Sequence, residues 1–350
     1  MNNLSQIFLI AAAVILTLTS CGNGNGKGNA DIPPQIIEES FLCDERTTPS
    51  CHASTIVELS DGELLAAWFG GSRESADDVK IFMSRKPLQT SWTTPQIVAQ
   101  DPEHHASWNP VLFQTNDGDL LLFYKTGPYV AAWRGHMKRS TDGGITWSEP
   151  YDYDEALFGA IKDKPIQQKS GRIIAPSSDE RGGKWQVHFE ISDDNAKTWR
   201  KIGPIKAPEG ARVIQPSIIT LKDGTLRALC RSSNGYIAVT ESHDNGDSWS
   251  DITFTDFPHN NSGIDVITTK TGMHLMVCNP LGLSENQDTG PRTPLSIMKS
   301  QDGLNWQKLI DLETDEGEYS YPAIIEGNDG TIHITYTWRR EKIKYVHLKI

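Results

Sequence analysis

The sequence predicts an all-β fold, a six-bladed β-propeller with four-stranded blades, and three observations predict it. A hairpin signal recurs six times, a second turn motif recurs in phase with it, and helical periodicity is nearly absent. Repeats of about 50 residues, each too small to bury an apolar face alone, are the mark of units that stack into an array or close into a ring.

The hairpin signal is a turn ending in glycine, followed by an apolar alternating strand. It reads Asp61-Gly62 before ELLAAW, Asp117-Gly118 before DLLLFY and Ser170-Gly171 before RIIAPS. It returns as Asp223-Gly224 before TLRALC, Thr271-Gly272 before MHLMVC and Asp329-Gly330 before TIHITY. Asp-Gly between apolar strands is a strong hairpin signature, because glycine supplies the positive φ of the tight turn. The six glycines lie 56, 53, 53, 48 and 58 residues apart, which gives six units.

The second motif is Ser-x-Asp-x-Gly-x-Thr-Trp. Ser140–Trp147 fits it fully, and Ser242–Trp249 has only Ser for Thr. Ser192–Trp199 replaces the glycine by Ala196, Ser300–Trp306 is one residue short, and Ser84–Trp92 is a trace. Ser and Asp side chains fold such a turn back on its own amides, and the Trp fills the gap between neighbouring sheets. Each unit therefore reads as one strand before the hairpin turn, one after it, and two more flanking the second motif. The last unit has room for three strands after Trp306, so Gln35–Leu42 is expected to supply the fourth and close the ring.

The chain divides into residues 1–20, 21–32 and 33–350. An apolar run from Ile7 to Leu18 ends in Leu18-Thr19-Ser20-Cys21, the plan of a secretory signal. Its end resembles a bacterial lipobox, which implies cleavage before Cys21, lipidation of that residue and an outer-membrane lipoprotein facing the periplasm or the cell surface. The run is short for a membrane span, and the Gly/Asn-rich stretch behind it reads as a flexible tether. Membrane contact is then expected through the N-terminal lipid only. A net charge of −12 without a basic cluster argues against nucleic acid.

Cys43, Cys51, Cys230 and Cys278 show no zinc spacing and are expected mostly as buried thiols, with Cys43–Cys51 the one pairing to test. Adjacent His104 and His105 point to opposite faces of a strand, so neither a metal nor a cofactor is implied. A ring buries its own sheet edges, which makes a monomer the default.

Residues starting each inner strand ring the mouth of the central channel. Counting back from the hairpin turns gives His52, Trp108 or Asn109, Lys164, Gln215, Asp265 and Tyr321. Lys125 and Lys164 are candidates to assist an anionic ligand. Trp133, Trp338, Arg339 and Arg340 stand as rim residues or as packing between blades.

Over about residues 40 to 350 the chain resembles the sialidase (neuraminidase) superfamily, in its bacterial "predicted neuraminidase" branch. The resemblance is carried by the four Ser-x-Asp motifs (the Asp-boxes of BNR repeats) and by HASTIVELSDGELLAAWFGG, WNPVLF and YSYPAIIEGNDGTIHITYTWRR. It implies a sialidase-like propeller whose arginines clasp a substrate carboxylate, with a Tyr–Glu pair as nucleophile and an Asp as acid/base. By that resemblance Arg231 and Arg292 bind the carboxylate and Tyr321 is the nucleophile. Asp78, beside Asp77, Glu74 and Arg73, supplies the acid/base.

Two positions depart from the family pattern. His52 stands where the first arginine belongs, and Gln215 where the glutamate belongs. An amide cannot take the tyrosine's proton. Related uronate lyases use a channel histidine, which makes His52 an alternative acid/base with Tyr321. The implied function is a glycoside hydrolase acting on a terminal sialic or uronic acid of a glycan. An exo-α-sialidase proper, a uronate-directed lyase and a non-catalytic glycan-binding lipoprotein are the alternatives.

Overall fold

The computed structural model describes residues 33–153 and 155–350. The expectations for the leader, Cys21 and the tether lie outside the described residues.

The strands among the described residues form six four-stranded antiparallel sheets, and in five of them strand order follows chain order. Blade one runs Ser50–Glu58, Leu64–Gly71, Lys80–Lys86 and Gln96–Ala99. The sixth sheet places Gln35–Phe41 outside Lys342–Lys349, pairing Gln35 with Lys349 and Phe41 with Lys344. The ring is therefore closed by the strand the sequence assigned to that place. Two short 3-10 turns, Val130–Ala132 and Arg181–Gly183, are the helical elements among the described residues.

The six hairpin glycines take φ between +81° and +93°, a region closed to most side chains. Their turns sit on the face opposite the strand starts, so the first residues of each inner strand and the connections after each second strand share the other face. Six apolar clusters fill the ring, each drawing its members from neighbouring blades. One joins Ile343 and Tyr345 of blade six to Ile56 and Trp68 of blade one, so the closure is packed as well as hydrogen-bonded.

The Asp-boxes do scaffold work. Ser140 Oγ donates to Asp142 Oδ1 at 2.7 Å and accepts from Gly144 N at 2.7 Å. Ser192, Ser242 and Ser300 repeat this with Ala196, Gly246 and Gly303. Each box tryptophan reaches the preceding blade: Trp249 stacks on Phe189 at 3.6 Å, Trp199 meets Phe123 at 5.9 Å, and Trp92 meets Tyr345 at 5.2 Å. Ser140→Ala leaves the buried Gly144 amide without its acceptor and is expected to cost about 1–3 kcal/mol. Urea unfolding with the midpoint unchanged would refute that role.

Cys43, Cys51, Cys230 and Cys278 are all free thiols, so the Cys43–Cys51 pairing is not formed. Burial pushes the Cys51 thiol up to about 12.

Candidate active site

A backbone irregularity builds the channel mouth. Nine residues before the hairpin glycine, Ala53, Asn109, Gln215 and Tyr321 have φ of 54°, 28°, 51° and 50°, and the ladder slips beside each. Such a bulge re-aims a side chain out of the sheet's alternation. The same count gives Lys162 and Gly263 in blades three and five, which corrects the sequence-based choice of Lys164 and Asp265 as mouth residues. A Cβ on Gly263 would meet Lys162 Cε at 3.0 Å and the Tyr321 ring at 3.1 Å, closer than ordinary contact, so glycine here leaves the phenol and the lysine their room.

Tyr321 is the centre of the site. Its Oη accepts from Arg231 Nη1 at 2.6 Å and from Gln215 Nε2 at 3.3 Å. Arg231 Nη1 also donates to Gln215 Oε1 at 3.2 Å, and its Nε donates to Asn261 Oδ1 at 2.8 Å. Arg231 and Arg292 lie 5.8 and 6.0 Å from the centre of the tyrosine ring. Arg292 Nη1 is held by Glu318 Oε1 at 2.5 Å and Ser320 Oγ at 3.2 Å. Four residues that sequence placed together, Tyr321, Gln215, Arg231 and Arg292, are thus together.

His52 joins them differently from expectation. Its ring packs on the Tyr321 ring at 4.1 Å, and its Nδ1 meets Thr337 Oγ1 at 2.8 Å. Ala53 N donates to that same hydroxyl at 3.2 Å. Burial first, then Arg340, Arg292 and Arg231, hold its pKa well below the usual histidine range. Burial and the three guanidiniums thus disfavour the protonated form that the acid role expected of His52 would need.

Other candidates are structural here. Trp108 is buried between Phe69 and Trp133 and donates its indole N–H to Gly127 O, so it lies in the core and not at the channel mouth expected from its place in the strand. Asn109 is buried, with its carbonyl accepting from Lys125. Lys125 is fully buried and pushed down to about 7 by that burial. Asp265 accepts from Lys164 Nζ at 2.5 Å, Ser217 Oγ at 2.9 Å and Ile324 N at 2.8 Å, tying blades three, four and six to its own. Lys162 reaches Asp163 and the carbonyls of Ile264 and Pro322, so blade three is also strapped to blades five and six. These ties hold blades three, four, five and six to one another across the ring. Asp163, pushed up by burial against the pull of Lys162, keeps Oδ2 without a partner among the described residues.

The exposed connection after the second strand of blade one carries Arg73, Asp77 and Asp78. Asp78 accepts from Ser72 N and Ser72 Oγ at 3.0 Å, so it shapes its own loop. Glu74 of the same loop pairs with Arg340 Nη1 at 2.5 Å. Sequence reasoning left Arg340 on an unspecified rim and missed Glu318, Lys162 and Glu180. A uniform count of nine finds Lys162. Glu180 is pushed up by burial, against the opposing pull of Arg231 and Arg212. Trp185, another missed residue, lies under Arg212 at 4.3 Å and Arg231 at 5.3 Å.

Burial of histidines makes the fold acid-sensitive. His52 is depressed, His259 falls to about 3 and His333 to about 4, each chiefly through burial. Below the ordinary histidine range the unfolded chain binds three protons that the folded chain refuses, so stability present above that range is lost as pH falls. His274 and His347 add to this, while Asp163, Glu58 and Glu180, raised by burial, act in the opposite sense. Unfolding free energy is expected to fall between pH 6.5 and 5, where the histidines of the unfolded chain take up protons. A flat urea midpoint across that window would contradict this.

A profile of the BNR repeat-like domain matches residues 62–334. The anhydrosialidase of Macrobdella decora is 24% identical over 288 residues, covering 71% of this chain and 36% of that protein. The chain thus spans about a third of the length of that curated relative. A crystal structure of a protein of unknown function from Dyadobacter fermentans has a TM-score of 0.75 at 18% identity, over 91% of this chain and 99% of that one. The Hadza microbial sialidase Hz136 has a TM-score of 0.72 at 18% identity, over 88% and 68%. These two likenesses establish the fold.

Proposed function

The chain belongs to the BNR repeat-like family, and on that premise we propose that it is a sialidase-type glycoside hydrolase acting on a terminal acidic sugar. The observation that carries the reading is one phenol beneath guanidinium groups, with Arg231 on its hydroxyl and Arg292 over its ring. Guanidinium forks match a carboxylate bidentately. A sugar acid gripped by Arg231 and Arg292 brings its anomeric carbon over Tyr321. Arg231 and Gln215 donate to Oη and stabilise its phenolate, so the phenol's proton passes to solvent before Oη bonds to the anomeric carbon and the glycosidic bond breaks. The leaving oxygen needs a proton, and two carboxyls on different blades are the candidates: Glu180, held up by burial near Arg231 and Arg212, and Asp78 of the blade-one loop. The names of two relatives, an anhydrosialidase and a sialidase, support the sugar class.

A second reading, a non-catalytic glycan binder, is favoured by one feature. Both groups on Tyr321 Oη are donors, and among the described residues no carboxylate accepts its proton.

The test is turnover of a fluorogenic sialoside, with a uronic-acid-capped oligosaccharide followed in parallel by mass spectrometry. Release of the sugar acid with uptake of water is the expected result. An unsaturated product would replace hydrolysis by lyase chemistry. Binding without a mass change in either substrate would establish the binder.

A further inference from the structure

We propose that blade two carries a second hydrolytic site, in which Thr126, His136 and Asp152 act as nucleophile, base and orienting acid in the cleavage of an uncharged carboxylic ester. The site shares no residue with the group around Tyr321, and it stands or falls independently of the acidic-sugar reading.

Strand register builds it. Leu120–Thr126, Arg134–Ser140 and Tyr151–Asp152 are the second, third and fourth strands of the blade. Tyr124 pairs with His136 and Thr126 with Arg134, while Asp152 pairs with His136 from the other side. Paired positions, and positions two apart, share a face of the sheet. These five side chains therefore stand together. Across that face Thr126 Oγ1 lies 2.8 Å from His136 Nε2, and His136 Nδ1 lies 2.7 Å from Asp152 Oδ1. A carboxylate can only accept, so Nδ1 carries its hydrogen and the Nε2 of a neutral ring is left to accept from the threonine hydroxyl. Hydroxyl to imidazole to carboxylate is the order that activates an alcohol as a nucleophile.

The three residues also have room beside them. They line a cleft of about 510 Å³ against the connection from blade one, and His136 and Asp152 line an adjoining one of about 650 Å³. Either volume admits a small ester. Tyr124, on the wall of the first cleft, is 2% exposed, and its hydroxyl makes no hydrogen bond among the described residues. Burial, then Asp152, Asp101 and Glu149, push that phenol up, so it stays a donor. Its ring stacks on the His136 ring at 5.0 Å and fixes the plane of the imidazole. Arg134 is exposed, lines both clefts and makes no ion pair among the described residues. An unpartnered phenol and an unpaired guanidinium are the donors that a carbonyl oxygen gaining negative charge would take up. Asp101, Glu103 and Glu149 on the same wall disfavour an anionic ester.

The chemistry closes without a cofactor. Thr126 Oγ1 bonds to the acyl carbon while His136 Nε2 takes its proton, the bond from that carbon to the alcohol oxygen breaks, and the alcohol leaves with the proton. Water then adds to the acyl-threonine and gives a proton to Nε2. The bond to Oγ1 breaks, Oγ1 recovers that proton, and the carboxylic acid departs. Asp152 holds Nδ1–H throughout and is a positioning residue.

The test is hydrolysis of 4-nitrophenyl acetate by the purified chain, quenched in acid during turnover so that mass spectrometry can locate any acetylated residue. Saturable turnover and an acetyl group on Thr126 are expected. Thr126→Val is expected to lower turnover by at least about 10²-fold, and Thr126→Ser to keep it within about tenfold. The Asp152 side chain is 74% exposed, so Asp152→Asn is a surface change that keeps the proposal falsifiable if Thr126→Val does not fold. It is expected to cost about 10²-fold and to move the acidic limb of the pH–rate profile to lower pH, because the imidazole loses its anion. A merely structural Asp152 would not produce that shift. No turnover by the wild type, equal turnover in wild type and Thr126→Val, or acetyl groups only on lysines or on His136 would each overturn the inference.

Discussion

Gln215→Glu is expected to raise turnover of a fluorogenic sialoside by about 10²–10⁴-fold, the usual worth of a positioned general base. The amide nitrogen of Gln215 stands 3.3 Å from Tyr321 Oη, and Glu is nearly isosteric with Gln. The substitution therefore puts a carboxylate oxygen where a donor now stands. That oxygen can take the phenol's proton as the oxygen attacks, which the amide cannot. Arg231 already holds the side chain at 3.2 Å and would orient the new carboxylate without rearrangement. A gain in kcat with KM within a few-fold is the signature, since carboxylate recognition is untouched. No gain would mean that proton removal from Tyr321 does not limit the reaction.

Tyr321→Phe is expected to lower kcat by at least about 10³-fold and to change sugar-acid binding by less than about tenfold. The change deletes the phenolic oxygen that meets Arg231 and Gln215 and leaves the ring. The ring keeps its packing on His52 at 4.1 Å and its contact with Gly263. Arg231 loses its 2.6 Å acceptor but keeps Gln215 and Asn261, so it remains in place to bind a carboxylate. Persisting turnover would exclude a covalent tyrosyl intermediate and assign the attack to water.

The fold was legible because its signals are local. A glycine turn and a Ser–Asp box each write their hydrogen bonds within about eight residues, and six copies in phase fix the ring. The identity of Tyr321, Gln215, Arg231 and Arg292 as neighbours was legible because each sits at a fixed step from such a local mark. What failed was whatever depended on distance across the ring. Trp108 begins a strand yet faces Phe69 and Trp133 in the core. Lys164 and Asp265 look like mouth residues until their mutual ion pair is seen, 101 residues apart in sequence. His52 looked titratable because sequence does not report that three arginines and burial surround it. Arg340 lay in a plain turn, and only its contacts with Glu318 and Glu74 mark it.

The pairing of Gln35–Phe41 with Lys342–Lys349 also sets an order of events during synthesis. The first of these strands leaves the ribosome about 300 residues before its partner exists, a wait on the order of 15–60 s at ordinary rates of elongation. Tyr321, Glu318 and Arg340 all emerge in the same final stretch. A chain that still lacks them has an unpaired first strand and no phenol beside Arg231. The nucleophile and the strand that closes the ring arrive together, so ring closure and chemistry share one sheet.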